Sequence, residues 1–343
     1  MLPHGTRNRP DRSMYGFQHA ADGRWKHGAS LLVKELLEMV FPPLRLPVLR
    51  PGGRLAGRYR MLHLLGQGRH GQVVLAVDET SGQRVAIKAG RSRALQREGQ
   101  ILAQLSHPLI PHLLHQQKAA GRHLLVMEAI DGASLSHLLG QLGRGPQRQL
   151  LALVVADHLL GVLAYLHQRQ IAHGDITPAN VLLGRDGYCR LIDFSAALPL
   201  HHQAATGCLY GTPGYLAPEC YEHVPPAPSG DLFGLGATLH HLLLGEAPFW
   251  IGQVRRLPQY AHSQLGALGP LVMPLLHPDP QQRLTLGEAR EQLHRLRILR
   301  HPAMTQPMGS TDTPPLVAAA VHVWFHASSS PVFGQDLKRW SRG

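Results

Sequence analysis

Cysteine is scarce in this chain, and its scarcity excludes a fold held together by disulfides. The 343 residues include three cysteines, Cys189, Cys208 and Cys220, with no closely spaced pair among them. An odd and widely spaced set predicts free thiols in a reducing compartment. The N-terminal residues lack the basic region, apolar run and cleavage site of a signal peptide. The sequence therefore predicts a cytoplasmic protein.

Long apolar runs are missing as well. A membrane-spanning helix needs roughly 18 consecutive apolar residues. The longest candidate, residues 150–166, is interrupted by Asp157 and His158. The sequence therefore predicts no membrane span.

Acidic residues are few, since 22 Asp and Glu stand against 34 Lys and Arg, for a formal net charge of +12. A basic balance suits a partner that carries phosphate or carboxylate groups. However, no basic run is interleaved with aromatic residues, and no zinc-finger or RNP-like motif is present. None of the 24 histidines has the spacing of a known metal motif. We expect no specific nucleic-acid partner and no histidine metal site.

The chain divides into segments of different patterning. Residues 1–57 are predicted to form an N-terminal extension and linker, with a candidate helix at 30–41 that stops at two prolines. Short alternating runs, typical of strands, dominate 58–130, and helical periodicity dominates 131–300. Residues 301–343 form a C-terminal tail. We expect the chemistry to lie between the β-rich and the helical part.

A glycine-rich loop opens the β-rich part. Residues 64–78 contain Gly66, Gly68 and Gly71 in the pattern G-x-G-x-x-G. In a dinucleotide-binding fold this loop opens a helix, whereas here residues 73–77 alternate as a strand does. The pattern therefore predicts a hairpin whose backbone N–H groups approach phosphate oxygens closely.

A lysine and a glutamate follow the glycine loop. Lys88 ends a predicted strand at 84–88, and Glu98 lies on a predicted helix near 93–105. A lone strand lysine is usually a solvated residue, but one paired with a carboxylate can hold the α- and β-phosphates of a nucleotide. The apolar side chains of this helix are predicted to face the core, namely Ile101, Leu102 and Leu105.

Further motifs follow in a fixed order. They are H-x-D-x-x-x-x-N at 173–180, Asp193-Phe194-Ser195, Ala217-Pro218-Glu219, Asp231 and Arg283. Together with Val85-Ala86-Ile87-Lys88, they make the chain resemble the eukaryotic-like (Hanks-type) serine/threonine protein kinase family, from about Tyr59 to Arg295. Any one of these motifs could occur by chance, but the ordered set at family spacing could not.

The resemblance implies an α+β, bilobal protein kinase fold, with a β-rich N-lobe at 58–130 and a mainly helical C-lobe at 131–300. It implies ATP-dependent transfer of the γ-phosphate to Ser and Thr hydroxyls of protein substrates, autophosphorylation included. The expected cofactor is Mg²⁺, with Mn²⁺ as a substitute. The substrate protein is not readable from the sequence.

The resemblance also implies roles for particular residues. Asp175 would accept the substrate proton, assisted by Lys88, Asn180 and Thr177, while Asn180 and Asp193 would hold the metal ion. The predicted ATP-binding residues are Leu65, Gly66, Gly68, Gly71, Val73, Ala86, Lys88, Glu98, Met127, Glu128 and Ile130. Met127 would be the gatekeeper of the adenine pocket, whose hydrogen bonds would come from the backbone at the last two of these residues.

Three positions depart from the family pattern. Gly174 stands where the family commonly has an Arg that contacts a phosphorylated activation segment, so we expect activity that does not depend on that contact. Thr177 stands where a Lys near the γ-phosphate is usual, and Ser195 replaces the Gly of D-F-G. Two alternatives therefore stay open, a pseudokinase or ATP-binding scaffold and a small-molecule phosphotransferase, because H-G-D at 173–175 is similar to aminoglycoside and choline phosphotransferases.

Overall fold

The fold is known from a computed structural model. It describes residues 51–68, 71–119, 121–143, 145–201, 211–222, 224–248 and 264–300. The candidate helix at 30–41 and the tail at 301–343 lie outside these ranges.

An antiparallel sheet of six strands forms the first lobe. Its spatial order is β1-β2-β3-β4-β6-β5. The strands are β1 (Arg54–Leu55), β2 (Tyr59–Gly68), β3 (Gly71–Asp78), β4 (Arg84–Gly90), β5 (Leu113–Ala119) and β6 (Arg122–Glu128). β1 precedes the boundary predicted at residue 58, because a strand of two residues is too short to show an alternating pattern.

The two faces of this sheet have different surroundings. Successive side chains of a strand point to opposite faces. Along β4, Val85, Ile87 and Ala89 enter the core of the first lobe, which also contains Val74 and Val126. Their neighbours in sequence, Ala86 and Lys88, therefore point to the opposite face, toward the helical lobe.

One helix, α1 (Arg93–Leu102), follows β4. It is capped by Ser92, whose side chain accepts a hydrogen bond from the Leu95 N–H, and such a cap satisfies one of the free N–H groups of the first turn. The predicted core residues of this segment are buried, which confirms them, and they are Ile101, Leu102 and Leu105. They join the apolar core of the helical lobe, so α1 connects the two lobes.

The second lobe is mainly helical. Its helices are α2 (Leu135–Leu139), α3 (Pro146–Gln168), α4 (Pro228–Leu244), α5 (Gly269–Leu275) and α6 (Leu286–Arg300). Short strands carry the site loops, namely β7 (Gly132–Ser134), β8 (Ile171–Ala172), β9 (Val181–Gly184), β10 (Cys189–Leu191) and β11 (Leu198–Pro199). The strands pair as β10-β9-β7 and β11-β8. The predicted bilobal α+β fold is confirmed.

Helix α3 is the central helix of the second lobe. Within the described ranges it is the one helix that is long and apolar enough to cross a membrane, and 61% of its most apolar window is buried inside the fold. Leu151, Leu159 and Leu163 are fully buried in the core of this lobe. The core of a folded lobe thus accounts for the apolar composition of this helix.

Candidate active site

The side chains predicted to surround adenine share one face of the sheet. Val73 lies opposite Lys88 in the β3–β4 register, and Met127 lies opposite Ala86 in the β4–β6 register. Val73, Ala86 and Met127 are half-buried, whereas Leu65 on β2 is exposed. A flat ring system stacked on this face would bury the apolar surface of these side chains that is otherwise exposed.

The segment after β6 provides the predicted main-chain contacts. The Glu128 N–H already donates to the carbonyl oxygen of His112 at 2.9 Å. The Ile130 N–H, in contrast, donates to none of the described groups. Ile130 is therefore the main-chain donor that a ligand can use here, and Glu128 can offer only its carbonyl oxygen.

Glycine is needed at the three positions of the loop for two different structural reasons. A Cβ atom at Gly71 would collide with the carbonyl oxygen of Ala89 on β4, so the packing of the sheet requires glycine at this position. A Cβ atom at Gly66 or Gly68 would meet no heavy atom within 4 Å. These two glycines leave open space over the sheet, as a loop that approaches phosphates must.

Lys88 forms the centre of a buried charge cluster. Its Nζ atom lies 2.9 Å and 2.7 Å from the two carboxylate oxygens of Glu98 and 2.7 Å from Oδ1 of Asp193. The side chains of Lys88 and Glu98 are almost completely buried, whereas that of Asp193 is 36% exposed. The Lys88–Glu98 ion pair forms even though the connection between β4 and α1 is short and consists of residues 91–92.

The cluster shifts the pKa values of its members in opposite directions. Burial opposes the charge of Lys88, but the two carboxylates outweigh that effect and raise its pKa. Burial raises the pKa of Glu98. For Asp193, the effect of burial is outweighed by Lys88, and its pKa lies below the usual range. The exposed member of the cluster is thus held as a carboxylate, the form that a metal ion binds.

The turn after Asp193 is fixed from two sides. Asp193 has left-handed backbone angles, φ 62° and ψ 81°, and its Oδ1 accepts a hydrogen bond from the Ser195 N–H at 3.1 Å. The Phe194 N–H donates to Glu98 at 3.2 Å, and Arg97 donates from Nη2 to the Ser195 carbonyl oxygen at 3.1 Å. Neighbouring residues of α1 therefore hold neighbouring residues of this turn.

The loop at 173–180 is anchored by a buried carboxylate from the start of α4. Oxygens of Asp231 accept hydrogen bonds from the backbone N–H groups of His173 at 2.9 Å and Gly174 at 2.8 Å. His167, at the end of α3, lies 2.9 Å from the same carboxylate. Asp231 is 1% exposed, and a buried carboxylate is tolerated when its oxygens are satisfied in this way.

Gly174 is a conformational requirement of this loop. Its φ of +77° lies in the left-handed region, which favours glycine. A Cβ atom there would lie 2.9 Å from the Pro226 ring and 3.0 Å from the Ala196 carbonyl oxygen. The absence of the family's Arg is therefore built into the local backbone and packing.

Asp175 and Asn180 form a hydrogen-bonded pair. The Asn180 amide nitrogen donates to Oδ2 of Asp175 at 2.8 Å and to its carbonyl oxygen at 3.0 Å. Oδ1 of Asp175 is buried and has no hydrogen-bonding partner among the described residues. A buried acceptor without a donor is costly, and Asn180 satisfies only the other oxygen of this carboxylate.

The surroundings of Asp175 tune its basicity. Burial raises its pKa, while the Thr212 side chain and His173 act in the opposite direction. Thr212 therefore lies close to the carboxylate, although Oδ1 has no partner in hydrogen-bonding geometry. A raised pKa makes a carboxylate a better proton acceptor.

The imidazole of His173 supports the backbone of the same loop. Its Nδ1 accepts a hydrogen bond from the Asp175 N–H at 3.3 Å, and Nε2 donates to the Ile192 carbonyl oxygen at 3.3 Å. Burial lowers its pKa. The neutral ring with a proton on Nε2 satisfies both contacts, so His173 is a structural part of the loop.

Two side chains offer oxygen ligands to a divalent cation. Asn180 uses its amide nitrogen toward Asp175, which leaves its amide oxygen, and Asp193 uses Oδ1 toward Lys88 and Ser195, which leaves Oδ2. The described residues contain no cluster of three or more acidic, histidine or cysteine ligands. A pair of oxygen donors fits Mg²⁺, which typically binds one or two protein side chains together with phosphate oxygens and water.

The remaining departures from the family pattern occupy buried positions. Thr177 is 2% exposed and begins the 3₁₀ turn Pro178–Asn180 without capping it through its side chain. Ser195 is also buried, and its backbone N–H donates to Oδ1 of Asp193. Both positions lie beside the predicted catalytic and metal-binding residues.

A second ion pair fixes the segment after residue 211. Arg283 donates from Nη1 and Nη2 to the two oxygens of Glu219, at 2.8 Å and 3.0 Å. It also donates to the carbonyl oxygen of Ser229 at 2.8 Å. The Arg283 side chain is fully buried. This two-point contact anchors the 3₁₀ segment Pro218–Glu222 to the helical lobe.

Two contributors to the site were not recognised in the sequence. Arg97 directly precedes Glu98 on α1, and this adjacency was the only available signal. His167 lies six residues before the loop, and nothing in its sequence context indicates that it reaches Asp231. Both contacts cross between distant elements, at separations of 98 and 64 residues.

Comparison with known proteins agrees with this geometry. The family model described as "Protein kinase domain" matches residues 59–294. These residues include the glycine loop, the Lys88 cluster, the loop at 173–180 and the Glu219–Arg283 pair.

Several curated relatives carry kinase names. The chain is 37% identical over 227 residues to the DNA damage-responsive serine/threonine-protein kinase RqkA of Deinococcus radiodurans, which covers 62% of this chain and 34% of the relative. It is 30% identical over 282 residues to the serine/threonine-protein kinase PLK4 of Drosophila virilis, with 76% and 35% covered. It is 32% identical over 213 residues to the probable serine/threonine-protein kinase pknA2 of Bifidobacterium longum, with 58% and 28% covered. The matched region thus spans about a third of the length of these relatives.

Proposed function

This chain belongs to the protein kinase family, and on that premise we propose that it transfers the γ-phosphate of Mg-ATP to Ser and Thr hydroxyls of proteins. The observation that carries the proposal is the buried carboxylate of Asp175, whose Oδ2 is held by the Asn180 amide at 2.8 Å. The Lys88–Glu98–Asp193 cluster, which joins the two lobes, supports it. Phosphoryl transfer depends on positioning and charge neutralisation more than on covalent chemistry.

In the proposed mechanism, Asp175 accepts the proton of the attacking hydroxyl at Oδ1. Asn180 holds the other oxygen of this carboxylate, so Oδ1 keeps a fixed direction. Lys88, held by Glu98, neutralises charge on the α- and β-phosphates. The raised pKa of Asp175 favours uptake of the proton.

The same proposal assigns Asn180 and Asp193 to a divalent cation, with Mg²⁺ as the preferred ion. When bound, the cation neutralises charge on the phosphate oxygens. The contribution of the chain is to keep Asp193 ionised, through Lys88, and to leave the amide oxygen of Asn180 free.

Thr177 occupies the place of a cation that would otherwise neutralise charge near the γ-phosphate. Removing one electrostatic group of this kind typically costs on the order of 10²–10³ in rate. We infer that the chain keeps its reaction type but works more slowly than a kinase with lysine there. We retain Thr177 as a proposed member of the catalytic loop, in which it is buried.

A protein substrate is favoured over a small molecule. The segment at 211–222 lies beside Asp175, since a Cβ atom at Gly211 would be 3.5 Å from Oδ1. The Glu219–Arg283 pair fixes this segment, which gives an extended peptide a rigid shelf next to the base. The scaffold alternative has no support, because Lys88, Asp175 and Asp193 are all present.

We also propose a cytoplasmic location. Cys189 and Cys220 are both buried free thiols, which suit a reducing compartment.

Phosphoamino-acid analysis with competing acceptors tests the proposal. The protein is incubated with labelled Mg-ATP and a basic protein, an aminoglycoside or choline, with Asp175→Asn as the control. We expect label on Ser and Thr of the protein acceptor and of the chain itself, and none from the variant. Label on the small molecules alone would overturn the proposal in favour of a small-molecule phosphotransferase, and nucleotide binding without any transfer would overturn it in favour of a scaffold.

A further inference from the structure

Helix α1 presents two adjacent polar side chains to the turn that carries Asp193. Glu98 accepts the Phe194 N–H at 3.2 Å, and Arg97 donates to the Ser195 carbonyl oxygen at 3.1 Å. The resemblance to the kinase family explains Glu98 as the ion-pair partner of Lys88. It assigns nothing to Arg97, which is the second connection between the same two elements.

The surroundings of Arg97 differ from those of an ordinary surface arginine. Its side chain is half-buried, and its Nε atom is buried without a hydrogen-bonding partner in the described parts of the chain. Arg93, one turn earlier on the same helix, is exposed and makes no hydrogen bond or ion pair with the described residues. Burying a guanidinium group is costly unless its contacts compensate. The hydrogen bond to Ser195 is thus the compensating contact at this position.

The turn that Arg97 holds is conformationally demanding. Asp193 has a positive φ of 62° although it is not glycine, and such a conformation persists when its surroundings enforce it. Oδ1 of Asp193 accepts a hydrogen bond from the Ser195 N–H, and Phe194 is 1% exposed in the core. The hydrogen bond from Arg97 to the Ser195 carbonyl oxygen fixes the next peptide unit, between Ser195 and Ala196.

Among the described residues, the loop at 173–180 offers no equivalent cation to the opposite side of the turn. Gly174 has no side chain, and the space where a Cβ atom would extend is filled by Pro226 and by the carbonyl oxygen of Ala196. The loop at 173–180 therefore approaches the turn with backbone only at this point. Arg97 is a cation from the other lobe that reaches the same turn.

We propose that Arg97 is a positioning residue that locks the Asp193–Ala196 turn to helix α1, so that Asp193 and the Lys88–Glu98 pair stay in register without a phosphorylated residue. This proposal rests on the proposed kinase function, because it gives the metal-binding carboxylate a fixed place in the ATP site. The two claims can be tested separately, because the order of the turn depends on the Arg97–Ser195 hydrogen bond between the lobes and not on phosphoryl transfer.

The test compares three variants of phosphatase-treated protein. Arg97→Met keeps most of the apolar stem and removes the donor, Arg97→Lys restores one donor, and Arg93→Met makes the same change one turn away. Hydrogen exchange of the amides at 194–197 is measured without nucleotide. The Mg²⁺ concentration for half-maximal phosphoryl transfer is then measured at fixed ATP.

We expect Arg97→Met to raise both the exchange rate and the Mg²⁺ requirement by about threefold to tenfold, the factor that one net hydrogen bond contributes. Arg97→Lys recovers most of the effect, and Arg93→Met matches the parent. Unchanged exchange in Arg97→Met would overturn the proposal, as would an effect confined to protein that has not been treated with phosphatase. If the parent transfers no phosphate, the kinase function fails, whereas the exchange measurement still decides the role of Arg97.

Discussion

The ammonium group of Lys88 and the carboxylate of Asp193 lie 2.7 Å apart although 105 residues separate them in the chain. Lys88 belongs to a strand of the β-rich lobe, and Asp193 belongs to a turn of the helical lobe. The contact therefore joins the predicted phosphate-binding residue to the predicted metal-binding residue. Because Glu98 completes the cluster at 2.7 Å, the charged part of the site is preorganised.

Lys88→Met is expected to abolish phosphoryl transfer and to destabilise the fold. The change leaves the carboxylate of Glu98 buried without its cation, and breaking one side of a buried pair typically costs about 3–5 kcal/mol. The double variant Lys88→Met/Glu98→Gln removes the unpaired charge as well. We expect it to recover a large part of the free energy of unfolding while staying inactive.

Urea denaturation and transfer assays of both variants, beside the parent, check this separation of stability from activity. Equal stability of the single and the double variant would show that Glu98 carries no uncompensated charge. Activity in the double variant would remove Lys88 from the proposed mechanism.

The pH dependence of the transfer rate is expected to follow Asp175. A general base must be deprotonated, so kcat falls as pH falls through the pKa of this carboxyl, which burial raises above the ordinary value of about 3.9. Thr212 acts to lower this pKa, so Thr212→Val is expected to move the acid limb of the profile to higher pH. Steady-state kcat measured between about pH 4 and 9 for the parent and for Thr212→Val locates the acid limb of each protein. An acid limb at the ordinary value in both proteins would contradict the assignment of Asp175 as the base.

Gly174→Ala is expected to destabilise the protein. The residue has a φ of +77°, and its Cβ atom would approach Pro226 and Ala196. A cost of about 1–3 kcal/mol is typical for a non-glycine residue forced into such a conformation. The matched control is Gly161→Ala inside α3, where the Cβ atom meets nothing within 4 Å, and which should be neutral or slightly stabilising. Thermal unfolding of the two variants gives the comparison, and equal stability would remove the conformational reason for glycine at 174.

Arg283→Met is expected to cost about 3 kcal/mol of unfolding free energy, because it leaves the Glu219 carboxylate without its two-point partner. Arg295→Met provides the contrast. Arg295 and Glu291 form an ion pair whose side chains are 65% and 62% exposed, and such surface pairs contribute little. Denaturant unfolding should separate the two variants clearly. Similar values for both would contradict the role of Arg283 as the anchor of the segment after residue 211.

The sequence predicted those parts of the site that depend on residue type in a fixed order. The bilobal fold and its kinase family follow from Lys88, Asp175 and Asp193 with their neighbours, because phosphoryl transfer restricts which side chains can occupy these places. The helix predicted near 93–105 is found, and it ends at Leu102. Predicted and observed helix ends commonly differ by a few residues, since the local sequence pattern alone does not determine where a helix ends.

Other contacts between distant elements could not be predicted. The reach of Arg97 to Ser195, of His167 to Asp231, and the closeness of Gly71 to the Ala89 carbonyl depend on how the lobes and strands approach one another. The sequence also does not distinguish an absent arginine from a required glycine at 174. The backbone angle and the position of Pro226 make that distinction.

The most direct test of the central claim is intact-mass and phosphopeptide analysis of the parent and Asp175→Asn after incubation with Mg-ATP, with ATP binding measured by calorimetry for both. The amide of Asn preserves an acceptor for Asn180 while removing the base. The account predicts phosphate on Ser or Thr in the parent, about 10²-fold or greater loss of transfer in the variant, and similar ATP affinity in both. Equal phosphorylation of the two proteins would contradict it, because Asp175 would then not be the residue that accepts the proton.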